Sequence, residues 1–91
     1  MTDNAYKLIY YGKTEKQFAK INKKELKVII RKTGALKTDP RPVNALKLIN
    51  SADYYRLRVG DYRVVYRIND KNKEIYIVAV KRRSEVYKKF K

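Results

Sequence analysis

Four arginines fall at alternating positions within YYRLRVGDYRVVYRI, residues 54 to 68. Gly60-Asp61 is the kind of dipeptide that closes a two-residue β-hairpin, and the sequence alternates on both sides of it. Counting outward sets Val59 opposite Tyr62, Arg58 opposite Arg63, Leu57 opposite Val64, Arg56 opposite Val65 and Tyr55 opposite Tyr66. Opposed residues share a face. One face then carries Tyr55, Leu57, Val59, Tyr62, Val64 and Tyr66. The other carries Arg56, Arg58, Arg63, Val65 and Arg67. Like charges directly across a hairpin weaken it, so folding alone gives no reason to set Arg58 against Arg63. A bound anion supplies one. Guanidinium groups grip phosphate bidentately and stay charged, which suits them to clamping a phosphate and unsuits them to removing a proton.

The rest of the composition narrows the chemistry. The 91 residues include neither histidine nor cysteine, which removes the usual general base, the commonest metal ligand, thiolate catalysis and disulfides. No cofactor or metal is called for. With 24 Lys+Arg against 9 Asp+Glu the net charge is +15, a surplus that points to a polyanionic partner, nucleic acid before an acidic protein. No apolar run reaches the roughly 18 to 20 residues that span a bilayer, and MTDNAYK lacks a signal peptide's apolar stretch, so a cytoplasmic location is expected.

One domain is expected over residues 1–91. YKLIYYG, 6 to 12, reads as a first strand. Thr14 with Gln17 resembles a capping box, and Phe18 with Ile21 gives an apolar stripe, predicting a short helix over 14–21. Asn22 with Glu25 repeats the capping signature, and Leu26, Ile29, Ile30 and Leu36 recur at about the helical period, with Gly34 near the end. TDPRPVN, 38 to 44, holds both prolines and reads as a surface loop leading to the hairpin. NDKNKE is a polar turn. IYIVAV, 75 to 80, is apolar throughout and predicts a strand covered on both faces. Ser84 can cap a last short helix, EVYKKFK. Tyr55, Tyr62, Tyr66 and Tyr76 read as core or core-edge residues, and the Lys-rich outer face of the second helix as a solvated one. The order β-α-α-β-β-β gives an α+β fold: two helices on one face of a small, curved, mainly antiparallel four-stranded sheet, with the other face left to the arginines.

The hairpin run, followed by IYIVAVKRRSEVY, is similar to the RelE/ParE superfamily of bacterial and archaeal toxins, and the RSEVY ending favours the RelE branch. The resemblance is strongest over residues 44 to 88. It implies a toxin of a type II toxin–antitoxin system: a metal-independent endoribonuclease that cuts messenger RNA in the ribosomal decoding site and is neutralised by a cognate, RelB-like antitoxin. Matched to the family motif, Arg63 holds the scissile phosphate, Arg83 or Arg82 stands near the leaving oxygen, and Tyr87 is the terminal tyrosine. Arg56 and Arg58 occupy positions where relatives often carry lysine. Lys47 falls on a further basic contact position, and Lys81 and Arg82 complete the expected RNA-binding set.

That chemistry needs no histidine. RNA brings its own nucleophile, the 2′-hydroxyl beside the scissile phosphate, so the protein must align it, stabilise added negative charge and manage two protons. Tyr87 is the candidate base, because neighbouring arginines favour a phenolate. Two other classes share the features so far: a ParE-like toxin directed at gyrase, and a module that binds RNA or ribosomes without cutting. The exposed charge also predicts an acidic antitoxin that lays chain across the basic face.

Overall fold

The computed structural model describes residues 5–49 and 53–82. Strand β1 (Lys7–Tyr10) runs into helix α1 (Gly12–Phe18), then α2 (Lys23–Gly34) and one 3-10 turn, Ala35–Lys37. Strands β2 (Ala45–Lys47), β3 (Tyr54–Val59), β4 (Tyr62–Asn69) and β5 (Glu74–Arg82) follow. They form one sheet in the order β1-β5-β4-β3-β2, antiparallel except for the β1–β5 pair. The fold is α+β, with five strands where the sequence predicts four. The added strand, β2, is three residues long and pairs antiparallel with β3 at the sheet edge. It is too short to show a period of its own and is held by its neighbour. The expected helix at Ser84 and beyond lies outside the described residues.

The β3–β4 hairpin has the register counted from its alternation: Val59↔Tyr62, Arg58↔Arg63, Leu57↔Val64, Arg56↔Val65 and Tyr55↔Tyr66. Gly60 takes φ +58 while Asp61 does not turn positive, the pattern of a II′ turn with glycine first. Leu57, Val59, Tyr62, Val64, Tyr66 and Ile68 form the core side of the hairpin, joined by Ile75, Ile77 and Val80 of β5. Ile21, Ile29 and Leu36 cover them from the helical layer, with Phe18 and Leu26 packed at its margin. Each fully buried Leu or Ile contributes about 1.5–3 kcal/mol. Tyr66 is wholly buried, and its hydroxyl donates to the Pro40 carbonyl at 2.7 Å, tying the proline loop to the sheet.

The helix starts divide. At α2 the Asn22 side chain accepts from the Glu25 N–H at 2.8 Å and donates to the Glu25 carboxylate at 2.9 Å, a working cap. Gly34 closes the helix as expected, although Ile30 is exposed and Thr33 takes the buried place, donating to the Ile30 carbonyl. At α1 the predicted box does not form. The helix begins at Gly12, Thr14 turns back to the Tyr11 carbonyl at 2.5 Å, and Gln17 reaches across to accept the Val80 N–H at 2.7 Å.

Strand β5 departs most from its sequence pattern. Pairing with β4 runs Tyr66↔Ile77 on one side of a bulge and Val65↔Ala79 on the other, leaving Val78 as an extra residue. Ile75 and Ile77 therefore share the core face with Val80, and the odd–even alternation changes phase at the bulge. The strand is not covered equally on both sides, since Tyr76 and Val78 are only half-buried on it. Tyr76 is the one tyrosine of the four expected in or beside the core that does not sit there. It is paired with Arg67 and stands on the open face, away from the helices.

Candidate nucleic-acid interface

The hairpin register and the bulge together fix a row of three cations across three strands. Arg58 of β3 is opposite Arg63 of β4, and Arg63 is opposite Lys81 of β5. Neighbouring strands are about 4.8 Å apart, so the three Cα atoms span only about 10 Å. Arg58 is exposed, Lys81 is half-buried, and Arg63 between them is only 7% exposed. One guanidinium nitrogen of Arg63 donates to the Tyr62 carbonyl at 3.3 Å. Val65 and Ala79, nearly or fully buried, form an apolar floor beside the row, and Arg56 stands opposite Val65. Among the described residues, the strand register places only cations in the row. Its physical character is three cationic side chains side by side, the central one nearly buried, and in such a partly desolvated setting charge-assisted bonds to an anion are stronger than in open water.

The structure divides the residues named from sequence. Arg56, Arg58, Arg63 and Lys81 share the open face. Lys47 does not: it pairs with Tyr55 and so belongs to the helix side of the sheet edge. Arg82 pairs with Tyr62, also on the helix side, with its guanidinium 5.7 Å from the centre of that ring. It helps line a cleft of about 150 Å³ with Gln17, Lys20, Ile21 and Tyr62, behind the sheet from Arg63. Arg83 and Tyr87 lie outside the described residues.

A second polar cluster was not visible in the sequence. Arg41 of the proline loop pairs with Asp70 of the β4–β5 turn at 2.7 Å, and its Nε donates to the Tyr55 hydroxyl at 3.0 Å. Tyr6 donates to the same carboxylate at 2.5 Å. These partners, Arg41 first and Tyr6 second, hold the Asp70 carboxyl below its usual range, while the bond to Asp70 pushes the Tyr6 phenol up. Burial pushes Tyr66 up, and the bond to Glu74 does the same to Tyr76. All three displaced phenols move away from the range a general base needs. The turn chemistry of DPRP and NDKNK marks each segment as a loop or turn, and nothing local shows that the two meet or which side chains join them.

The family model for the ParE toxin of type II toxin–antitoxin systems, parDE, matches residues 7–87. The toxin in the archaeal RelE–RelB complex from Pyrococcus horikoshii OT3 is 30% identical, with a TM-score of 0.79 over 87% of this chain and 96% of that one. The chain belongs to the RelE/ParE toxin superfamily, RelE branch. The isolated Escherichia coli RelE toxin is 26% identical, with a TM-score of 0.75 over 93% of this chain and 94% of that one. The toxin–antitoxin complex RelBE2 from Mycobacterium tuberculosis shares the fold at 23% identity, with a TM-score of 0.76 over 87% of this chain and 99% of that one. A search of curated protein sequences found no match. Membership makes the chain a RelE-like toxin of the type II class, with the cation row on the sheet face that its two helices leave open.

Proposed function

We propose that this RelE-like toxin is a ribosome-dependent endoribonuclease that cleaves messenger RNA on its open sheet face. The observation that carries the reading is Arg63, nearly buried between Arg58 and Lys81. A nearly buried guanidinium with a cation on either side is well matched to a phosphate that gains charge during reaction. The 2′-hydroxyl attacks the adjacent phosphorus, the bond to the 5′-oxygen breaks, and the products are a 2′,3′-cyclic phosphate and a 5′-hydroxyl. Arg63, with Arg58, Arg56 and Lys81, holds the phosphate. Tyr87 takes the 2′-hydroxyl proton and Arg83 neutralises the leaving oxygen, which takes its proton from solvent as it departs; Arg82, on the other side of the sheet, is left out of that role. Lys47 and Arg82 contact RNA from the helix side of the sheet. The ribosome supplies orientation that such weak acid–base groups do not.

The partner reading rests on the charge of +15 and on relatives solved with RelB from P. horikoshii and E. coli. A RelB-like acidic antitoxin covers the cation row with carboxylates and silences it. The family model's ParE name favours a second reading, a toxin directed at gyrase. One experiment separates them. Purified toxin is added to a translating extract and, in parallel, to a gyrase supercoiling reaction, with Arg63→Ala as control. Cleavage within ribosome-bound codons, lost in Arg63→Ala by about a hundredfold or more, is expected. Inhibited supercoiling with intact messenger would replace the reading with the gyrase one. RNA binding without cutting at any ratio to ribosomes would reduce it to a binding module.

A further inference from the structure

The open sheet face continues past Arg63, and its chemistry changes along the way. Four residues further along β4, about 13 Å at strand spacing, Arg67 stands between Tyr54 of β3 and Tyr76 of β5. The Arg67 guanidinium lies 5.7 Å from the centre of the Tyr76 ring. Tyr11, just past β1, meets Tyr76 edge-on with ring centres 6.0 Å apart. Tyr11 remains 41% exposed although its backbone is fixed on both sides: its N–H donates to the Ile77 carbonyl at 3.0 Å, and its own carbonyl accepts from Thr14. None of these rings serves the helix-side core.

The charges at this end have carboxylates beside them. Asp53 approaches Arg67 at 4.0 Å, and Glu74 accepts the Tyr76 hydroxyl. Cations already matched by carboxylates hold phosphate poorly, whereas flat rings and a guanidinium plane hold unpaired bases well, with little regard to sequence. We propose that the Tyr11–Tyr76–Arg67 row is a base-stacking subsite for single-stranded RNA, a few nucleotides along the strand from the phosphate held by Arg58, Arg63 and Lys81. The inference rests on the reading of this sheet face as the RNA site and adds a division of labour within it. One end grips backbone and the other grips bases. Duplex RNA is excluded, because its bases are stacked on each other and present no free ring face.

The test uses the full chain and a short 2′-O-methylated oligoribonucleotide, which has no 2′-hydroxyl to attack, in fluorescence-anisotropy titrations. Tyr76→Leu and Tyr11→Ser are each expected to weaken binding about five- to a hundredfold, while Tyr76→Phe and Tyr11→Phe retain it. The slope of log affinity against log salt stays at the wild-type value in all four, since no phosphate contact is lost, whereas Lys81→Gln lowers it by about 0.7. An abasic oligonucleotide of equal length binds wild type as weakly as the intact one binds Tyr76→Leu. Equal affinity for intact and abasic RNA, unchanged affinity in both tyrosine variants, or a weakening that comes with a lower salt slope would each overturn the proposal. Circular dichroism melts control for folding, and the exposed Tyr11 carries the test if Tyr76→Leu does not fold. Because the probe cannot be cleaved, failure of the ribonuclease reading leaves this result intact, and failure of stacking leaves messenger cleavage to be judged separately.

Discussion

Lys81→Gln should make the protein more stable and a poorer binder of RNA, two effects that only a functional cation row joins. In the folded chain Lys81 stands directly across from Arg63, which already faces Arg58. Directly opposed like charges cost about 0.2–1 kcal/mol per pair, so removing one pair should return about 0.5 kcal/mol. For a domain of this size about 1 kcal/mol moves the melting temperature by 4–8 °C, which makes the expected rise about 2–4 °C at low salt. Salt screens the half-buried Lys81, so the gain should shrink as ionic strength approaches 1 M. Inorganic phosphate should close the gap from the other side by stabilising wild type more than the variant, because it binds only the folded row. On single-stranded RNA the same change should cost about tenfold at low salt, or about 1.4 kcal/mol, and reduce the salt slope by about 0.7. The assays are thermal melts followed by circular dichroism and anisotropy titrations on one preparation. A lowered melting temperature combined with unchanged RNA affinity would refute the reasoning, since Lys81 would then be a packing residue whose charge does not matter.

Two further outcomes follow from the site and from the loop cluster. Tyr87→Phe should slow messenger cleavage with little change in ribosome affinity, the signature of a group used mainly in the transition state; equal cleavage by both proteins in single-turnover assays would return Tyr87 to packing. Asp70→Asn should lower the melting temperature at neutral pH, by an amount that exposure of both partners keeps near 0.5 kcal/mol. The folded carboxyl sits below its unfolded pKa, so its contribution is present above the ordinary aspartate range and disappears as pH falls through the lowered value. The two proteins should therefore melt together in strong acid, and a constant difference down to pH 2 would show that the loss is not one of charge.

The hairpin was legible because two independent constraints agree there: a turn that accepts glycine at positive φ, and alternation on both flanks that a one-residue slip would turn inside out. The α2 cap was legible because both of its partners are local. Gln17 departs from the capping pattern because its side chain leaves its own helix for the Val80 N–H, and no spacing within the helix encodes that choice. Strand β2 carries no periodic signal in three residues. Lys47 and Arg82 share charge and family position with the other cations, but the face each takes depends on register with a neighbouring strand. The near-burial of Arg63 was hidden for the same reason: the alternation shows which side it is on, not what closes around it.

Val78 has a consequence for how such a chain tolerates change in length. Were β5 regular, continuing the Ile77↔Tyr66 register would set Val80 against Arg63 and Lys81 against Tyr62, and the cation row would lose its third member. The extra residue absorbs that slip. Deleting Val78 alone should leave Ala79, Val80 and Lys81 beside the partners they already have, while straightening the strand and reducing its local twist. A single deletion at residue 79, 80 or 81 either removes a member of the paired set or forces the bulge to migrate. One-residue insertions and deletions across descendants of this sequence should therefore accumulate at the bulge and be purged a step or two to its C-terminal side. The strand has a single expansion joint, placed where lineages can vary in length without relocating a charge.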